Sequence, residues 1–549
     1  MPRTPSPNVP AVVVDDITFT WPDGGPVVEQ LTCRFPAART GLIGANGSGK
    51  STLLRLIAGE LRPDAGAIHA AGLVGMVHQR VAERPGATVA DLLDIAGSRR
   101  ALRAIEAGSV AEHDFDAVGS DWDIESRALG LLHGLGFDAD AALLDRPVTT
   151  LSGGQATQVA LVGARLAGWD ITLLDEPTND LDARSRARVY DAVSAWPGVL
   201  IVVSHDRELL ERIDAIVDLD PRGVRSFGGA FSAYRAHRDQ LQAAAERQLR
   251  DAEAHLTRAT AHARAELERE QQRTRSARRE RARGNVSKGA ADFFANRSEK
   301  NSGAKAQLHS AALERAAAAR ADADAAARTV EPIRVDLPDT SVPAGKQVLG
   351  VDVGGVRLEM VGPERIRLTG DNGSGKSTLL AWALGDLEVR DPDDYPASVL
   401  GEARIVTPVS VPVGRLRQRT DELDQFETVL DAVRDAAPRR TPHDARALLA
   451  RFQLTREVPL LAPPSLSGGE RFRVALARVL FADPAPQLLV LDEPTNNLDL
   501  DSVDRLVSAL AGYRGALLVV THDDHLAGAL GVHREWHLSA GRRVRDRLV

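Results

Sequence analysis

The chain has 549 residues, too many for one domain of ordinary size, and is 43% hydrophobic and 26% charged, which excludes a wholly disordered polypeptide. Its formal charge of −8 gives no overall sign of a nucleic-acid binder, and its single cysteine, Cys33, excludes a disulfide scaffold, a zinc finger and an iron–sulfur cluster. Of the 68 basic residues, 62 are arginine and only six are lysine: Lys50, Lys288, Lys300, Lys305, Lys346 and Lys376. The opening MPRTPSPNVP has no apolar stretch of the signal-peptide kind, and no run approaches the ~20 apolar residues of a membrane helix. A soluble, cytoplasmic protein without a membrane partner is expected.

In chain order, the first strong motif is GANGSGKST. It follows an apolar strand at Gly41–Ile43 and leads into a helix from Ser51. That is the context a phosphate-binding loop requires. Gly44, Asn46, Gly47, Ser48 and Gly49 let backbone N–H groups turn toward phosphate, and Lys50 is placed to reach the terminal phosphates. Ser51 is placed to coordinate Mg²⁺, with Thr52 behind it in the helix N-terminus. Gln79 follows a short strand and is a candidate for Mg²⁺ or the attacking water. Ser152, Gly153, Gly154 and Gln155 open a helix running to Leu166 and form a second N-terminus suited to an anion. The apolar strand Ile171–Leu174 ends in Asp175, a candidate Mg²⁺ ligand, and Glu176, a candidate general base. His205, after the strand Val199–Val203, is a candidate γ-phosphate contact.

All of this recurs. GDNGSGKST repeats the loop at an offset of 326, LSGGE the second N-terminus at 315, and VLDEPTNNLD and VTHD at 317. The second set is Gly370, Asn372, Gly373, Ser374, Gly375, Lys376, Ser377 and Thr378; Gln418; Ser467, Gly468, Gly469 and Glu470; Asp492 and Glu493; and His522. Ser377, Gln418 and Asp492 are its candidate Mg²⁺ ligands. Four motifs in one order at nearly one offset are a tandem duplication. The predicted domains are residues 1–236, 237–335 and 336–549.

Between the copies the chain is nearly free of helix breakers. Ala245, Leu249, Ala252, Leu256, Ala259 and Ala263 step alternately by four and three, a heptad seam. A helix of about 45 residues, about 67 Å long, is predicted to about Arg283, with breaks at Arg283–Gly289 and Asn301–Gly303 before an Ala-rich return. The expected form is a long antiparallel hairpin with its tip near 284–303. From Gln271 to Ser310 the local charge is +7. Basic residues there, interleaved with an aromatic pair, suit RNA. The candidate contacts are Arg283, Lys288, Phe293, Phe294, Arg297, Lys300 and Lys305.

The paired motifs resemble the ATP-binding-cassette superfamily. Two cassettes, a charged helical linker and FGGAFSAY at Phe227–Tyr234 resemble its ABC-F family over essentially the whole chain. The resemblance implies an α/β fold: two P-loop cassettes joined by the helical hairpin. It implies an ATPase using ATP and Mg²⁺, monomeric, with the cassettes sandwiching two ATPs. Ser152, Gly153, Gly154 and Gln155 would face the ATP on Lys376, and Ser467, Gly468, Gly469 and Glu470 the ATP on Lys50, with Asp182 and Asp499 on the interface. The family also stacks an aromatic on adenine; Trp21 fits, with Phe19 as the alternative, whereas Val342–Thr369 holds no aromatic. Partners implied are the ribosome's tRNA exit site, large-subunit RNA and the P-site tRNA. Two roles stay open, protection of the ribosome from antibiotics and housekeeping regulation or rescue of stalled ribosomes. The excess of 24 residues between Gln79 and Leu151 over Gln418 to Leu466 does not decide between them. The rivals outside the family are a transporter's ATPase subunit and a DNA-maintenance ATPase.

Overall fold

The computed structural model describes residues 10–22, 24–77, 86–179, 181–220, 223–282, 310–324, 333, 337, 340–385, 403–417, 420–496, 498–539 and 543–548. Gln79, Gln418 and the tip residues Arg283, Lys288, Phe293, Phe294, Arg297, Lys300 and Lys305 lie outside them. The chain divides into two units, Met1–Phe231 with Pro332–Val549, and Ser232–Glu331.

The first copy in the larger unit consists of β1 (Pro10–Thr20), β2 (Pro26–Pro36), β3 (Arg39–Gly44), β4 (Ala65–Ala70), β5 (Val74–Val77), β6 (Ile171–Asp175), β7 (Val199–Val203), β8 (Ala215–Asp220) and β9 (Gly223–Gly228). Strands β2-β1-β4 form an antiparallel sheet. The second sheet has the order β5-β6-β7-β3-β8-β9, parallel except for the β8–β9 edge. Parallel strands covered on both faces need uninterrupted apolar runs, and β7, Val-Leu-Ile-Val-Val, is buried at every position. The helix Lys50–Ile57 turns Leu53, Leu54, Leu56 and Ile57 into one core with Val12, Phe35, Leu173 and Ile201, so the phosphate loop is anchored by both sheets.

The second copy repeats the plan with β10 (Gln347–Val353), β11 (Val356–Val361), β12 (Arg365–Gly370), β13 (Ala403–Thr407), β14 (Val413–Leu416), β15 (Leu488–Asp492), β16 (Ala516–Val520), β17 (Arg534–Ser539) and β18 (Arg543–Leu548). Its sheets are β11-β10-β13 and β14-β15-β16-β12-β17-β18, strand for strand the order of the first. Both copies place β6 or β15 next to β7 or β16, and that strand next to β3 or β12. The loop lysine, the Asp-Glu pair and the histidine therefore emerge from the C-terminal ends of three adjacent parallel strands, where α/β sheets bind ligands.

The smaller unit is dominated by the helix Phe231–Ala282, 52 residues and about 78 Å long, longer than the sequence periodicity predicts because it begins inside FGGAFSAY. Ala245, Leu249, Ala252, Leu256, Ala259 and Ala263 are each partly buried on it, as a seam demands. A second helix occupies residues 310–324, and its Arg320 pairs with Glu253 of the long helix at 3.5 Å. Among the described residues no helix is long and apolar enough to cross a membrane.

The seam carries little apolar area per residue, so the hairpin should open locally far more easily than the cassettes. Leu256→Asp is expected to speed amide hydrogen exchange across residues 245–263 at least tenfold while leaving β6 and β7 unchanged. Equal acceleration in both places would show that the seam does not hold the hairpin.

Candidate active sites at the phosphate loops

Each phosphate loop turns under the neighbouring strand. Gly44 and Gly370 have φ of +152° and +149°, and a Cβ there would lie 2.5 Å from the Leu219 carbonyl oxygen and 2.1 Å from that of Leu538. Only glycine fits. The helices then begin at Lys50 and Lys376, capped by the left-handed Gly49 and Gly375. Lys50 Nζ donates to the Gly44 and Ala45 carbonyls at 2.8 and 2.9 Å, and Lys376 Nζ to Gly370 and Asp371 at 2.6 and 3.1 Å. Burial lowers the pKa of both ammoniums, opposed by nearby carboxylates including Glu176 at Lys50 and Glu493 at Lys376. Each uses two of three donors on its own loop, leaving one for phosphate.

Ser48 Oγ and Ser374 Oγ are buried without a hydrogen-bond partner, as are His205 Nδ1 and His522 Nε2. Such atoms cost free energy unless a ligand satisfies them. Burial pushes His205 down to about 3 and His522 down to about 4, so both imidazoles are neutral near pH 7. Their Nε2 atoms lie 3.4 Å from Glu176 Oε1 and 3.7 Å from Glu493 Oε1. Burial raises Glu176 to about 8 against the pull of Lys50, and Glu493 to about 7 against Lys376 and Arg186.

Both glutamates have left-handed backbones, φ 46° and 43°. That is strained for a side-chain-bearing residue, and it is held by N–H donation to the Val203 and Val520 carbonyls at 2.9 Å. The strain sits at the same place in both copies.

Ser51 Oγ donates to Asp175 Oδ1 at 3.1 Å, a pair of hard oxygens of the kind Mg²⁺ takes while keeping several waters. The second copy differs: the Arg415 guanidinium lies 3.6 Å from Asp492 Oδ2, where Met76 stands in the first. Among the described residues no group of three or more His, Cys, Asp or Glu gathers to hold an ion.

A cavity of about 500 Å³ opens at the first loop. Its lining joins Trp21, Asn46, Lys50, Ser51, Glu176 and His205 with Thr495 and Leu498 from the second cassette. Trp21 is edge-on to Phe19, centroids 5.2 Å apart, and carries the Arg55 guanidinium 5.5 Å from its ring. Of the two aromatics, Trp21 is the one at the cavity.

The cassettes grip one another at these loops. Asn46 N–H donates to Asp499 Oδ2 at 2.8 Å, and Asn372 N–H donates to Asp182. Burial alone would raise these carboxyls, but the hydrogen bonds from Ser185 and Asn372, and from Ser502 and Asn46, hold both below their usual range. Arg207 adds a bond to Asp504 at 2.7 Å and a contact with His525.

Ser152 and Ser467 cap the helices Gly153–Leu166 and Gly468–Leu480 through capping boxes with Gln155 and Glu470. Gly154 packs on the helix Ala183–Ser194, where a Cβ would meet Ser185 Oγ at 2.5 Å. Among the described residues, Thr495 and Leu498 line the cavity at Lys50 from the second cassette, and Ser467, Gly468, Gly469 and Glu470 do not. Sequence reasoning also missed Arg186, Arg367 and Arg415 around the second site. The mismatch of Met76 with Arg415 and of Gly41 with Arg367 at aligned strand positions is the signal that reveals the last two.

Two phosphate loops, each facing a strand-end Asp-Glu pair, a histidine and the other cassette's aspartate, define a tandem ATP-binding-cassette ATPase. A family model described as ABC transporter matches residues 31–179 and 353–496. The chain is 35% identical to the tylosin resistance ATP-binding protein TlrC of Streptomyces fradiae, over 93% of this chain and 94% of that protein. It is 31% identical to the probable ATP-binding protein YheS of Escherichia coli K12, over 89% of this chain and 73% of that protein. The crystal structure of an archaeal ribosome recycling factor, solved with a ribosomal stalk protein, shares the fold at a TM-score of 0.53 and 18% identity, covering 97% of this chain and 89% of that one. The chain belongs to the ABC-F family and hydrolyses ATP.

Stacking on an aromatic contributes about 1–3 kcal/mol per base. In a Lys376→Ala background, which isolates the first site, Trp21→Ala is expected to raise the Kd for ATP by about 5-fold to 150-fold by calorimetric titration. An unchanged Kd would remove Trp21 from the adenine site.

Proposed function

We propose that this ATPase protects the ribosome from antibiotics: it binds at the tRNA exit site, reaches toward the peptidyl-transferase centre with its linker, and leaves on ATP hydrolysis. The observation that carries the resistance reading is the likeness to two resistance proteins: 35% identity to the tylosin resistance protein over 93% of this chain, and 29% identity to an antibiotic resistance protein of Mycobacteroides abscessus over 93% of this chain. The reach has a physical basis in a helix of about 78 Å, Phe231–Ala282, leading into a segment of local charge +7. Housekeeping regulation or rescue of stalled ribosomes is the second reading. The crystal structure of a ribosome recycling factor that shares the fold favours it, since cassette pairs of this kind also serve factors unrelated to drugs.

In this reading Glu176 and Glu493 act as general bases toward water in their deprotonated forms, which burial disfavours and which the positive charge of a bound ion would restore, each oriented by its strained backbone. His205 and His522, neutral, donate to the γ-phosphate. Ser51, Asp175 and Gln79 would hold Mg²⁺ at the first site, and Ser377, Asp492 and Gln418 at the second, where Asp492 must first loosen from Arg415. When bound, Mg²⁺ neutralises charge on the phosphate oxygens. ATP closes the cassettes around it, bringing Ser152, Gly153, Gly154 and Gln155 to one site and Ser467, Gly468, Gly469 and Glu470 to the other. The closed state is the ribosome-bound one because ligand binds it better. Arg283, Lys288, Phe293, Phe294, Arg297, Lys300 and Lys305 are the proposed RNA contacts.

Glu176→Gln with Glu493→Gln should bind ATP, hydrolyse little and co-sediment with ribosomes in ATP; sedimentation away from ribosomes would refute the release step. Lys288→Ala, Arg297→Ala and Lys300→Ala together should reduce protection while leaving ATP binding intact. Expression in a drug-sensitive bacterium should raise the inhibitory concentration of a macrolide, lincosamide or pleuromutilin at least fourfold. No change with any of the three would favour the housekeeping role.

A further inference from the structure

The two nucleotide sites differ in the charge that surrounds them. Position 186 stands four residues beyond Asp182, on the helix that Asp182 caps, and its backbone N–H bonds to the Asp182 carbonyl at 2.9 Å. Asp182 is the residue whose carboxylate holds the Asn372 N–H of the opposite phosphate loop. One helical turn therefore separates the anchor on the second cassette from the Arg186 side chain. That side chain is 16% exposed. Its Nε is buried with no hydrogen-bond partner, and the Asp206 carboxylate stands off at 3.7 Å. Asp206 meanwhile accepts a 2.7 Å bond from the Tyr190 hydroxyl and caps the helix Arg207–Leu210. The Arg186 charge acts across the interface on both Glu493 and His522 of the second cassette.

The other arginines near that site are engaged elsewhere. Arg367 donates to the Thr521 carbonyl at 2.8 Å and to Asp524, and Arg415 faces Asp492. Among the described residues, the groups that act on Glu176 are Lys50, Asp175, His205 and Asp206, and none is an arginine. The residue four beyond Asp499 is Val503, 5% exposed in the core of its own cassette.

We propose that Arg186 is a positioning residue acting in trans: its guanidinium, on the first cassette, orders the terminal phosphate of the nucleotide held by Lys376 together with Glu493 and His522. The chemistry suits the role, because a guanidinium is permanently charged, planar and able to bond two phosphate oxygens at once. A cation that reaches a phosphate only from the opposite cassette makes hydrolysis there depend on closure, as an arginine supplied in trans does in other phosphoryl-transfer sites. Among the described residues the Lys50 site has no such arginine, so the two ATPs are hydrolysed under different control.

The inference rests on Lys376 and Glu493 forming an ATP site. Vanadate trapping of photoreactive 8-azido-ATP with Mg²⁺ in the full chain, with the label assigned to each cassette after proteolysis of the linker, separates the two questions. The unsubstituted chain should label both cassettes; label on neither would overturn the reading of the sites themselves, and label on the first alone would overturn the role of Arg186. Arg186→Ala should cut label on the second cassette at least fivefold and on the first less than twofold. Arg186→Lys, which keeps the charge but not the two-pronged geometry, should recover part of the second-cassette label, at least twofold above Arg186→Ala. Equal loss on both cassettes, no loss, or loss that lysine does not recover would each overturn the proposal.

Discussion

Two hydrogen bonds across one interface organise this molecule. Each cassette presents an aspartate, Asp182 or Asp499, to a backbone N–H in the other's phosphate loop, Asn372 or Asn46. The same aspartates cap the helices that follow them. Each carboxylate is thus shared between its own helix and the neighbour's loop. A change at either loop is felt at the head of the opposite helix, and through Gly154 packed on Ser185 at the signature helix as well. A duplicated chain gains from this arrangement something a single cassette lacks: nucleotide on one half has a mechanical connection to the other.

Duplication has not kept the halves equal. The first site has an aromatic wall in Trp21 and a serine–aspartate pair at 3.1 Å. The second has no aromatic in the corresponding stretch and is surrounded by guanidiniums, Arg186, Arg367 and Arg415. One position shows why the difference is structural. At Gly41 a Cβ would meet Ile213 Cδ1 at 2.4 Å, so the first cassette has no room for the arginine that the second carries at 367. Base stacking favours an aromatic base, whereas fixed positive charge favours phosphate, so the two proposed sites offer a ligand different physical interactions.

Much of this is local chemistry and therefore readable from residues in order. A glycine-rich loop between an apolar strand and a helix has one common physical use. The step-four, step-three run from Ala245 to Ala263 needs only helical geometry to become a seam, and all six positions are partly buried. Other features had no linear signal. The strained φ of Glu176 and Glu493 is imposed by the neighbouring strand's carbonyl, which is 27 residues away in both copies. The reach of Arg186 toward Glu493 depends on how two cassettes meet, and a residue inside an ordinary helix gives no hint of it. The linker helix is longer than its periodicity predicts because its start is set by Phe231, inside FGGAFSAY and ahead of the seam.

By itself the sequence determined the chemistry and its count: two phosphate loops, two Asp-Glu pairs, two histidines, and a long helix between them ending in a basic segment. These are short-range patterns, set by the backbone freedom of glycine, the burial of apolar strands and the periodicity of a helix. Only the tertiary structure decided which carboxylate holds which loop, which glutamate feels the charge of an arginine from the other cassette, and that Thr495 and Leu498 line the cavity at Lys50. Those outcomes depend on distances between segments hundreds of residues apart, and such distances are fixed by the packing of two cores against each other.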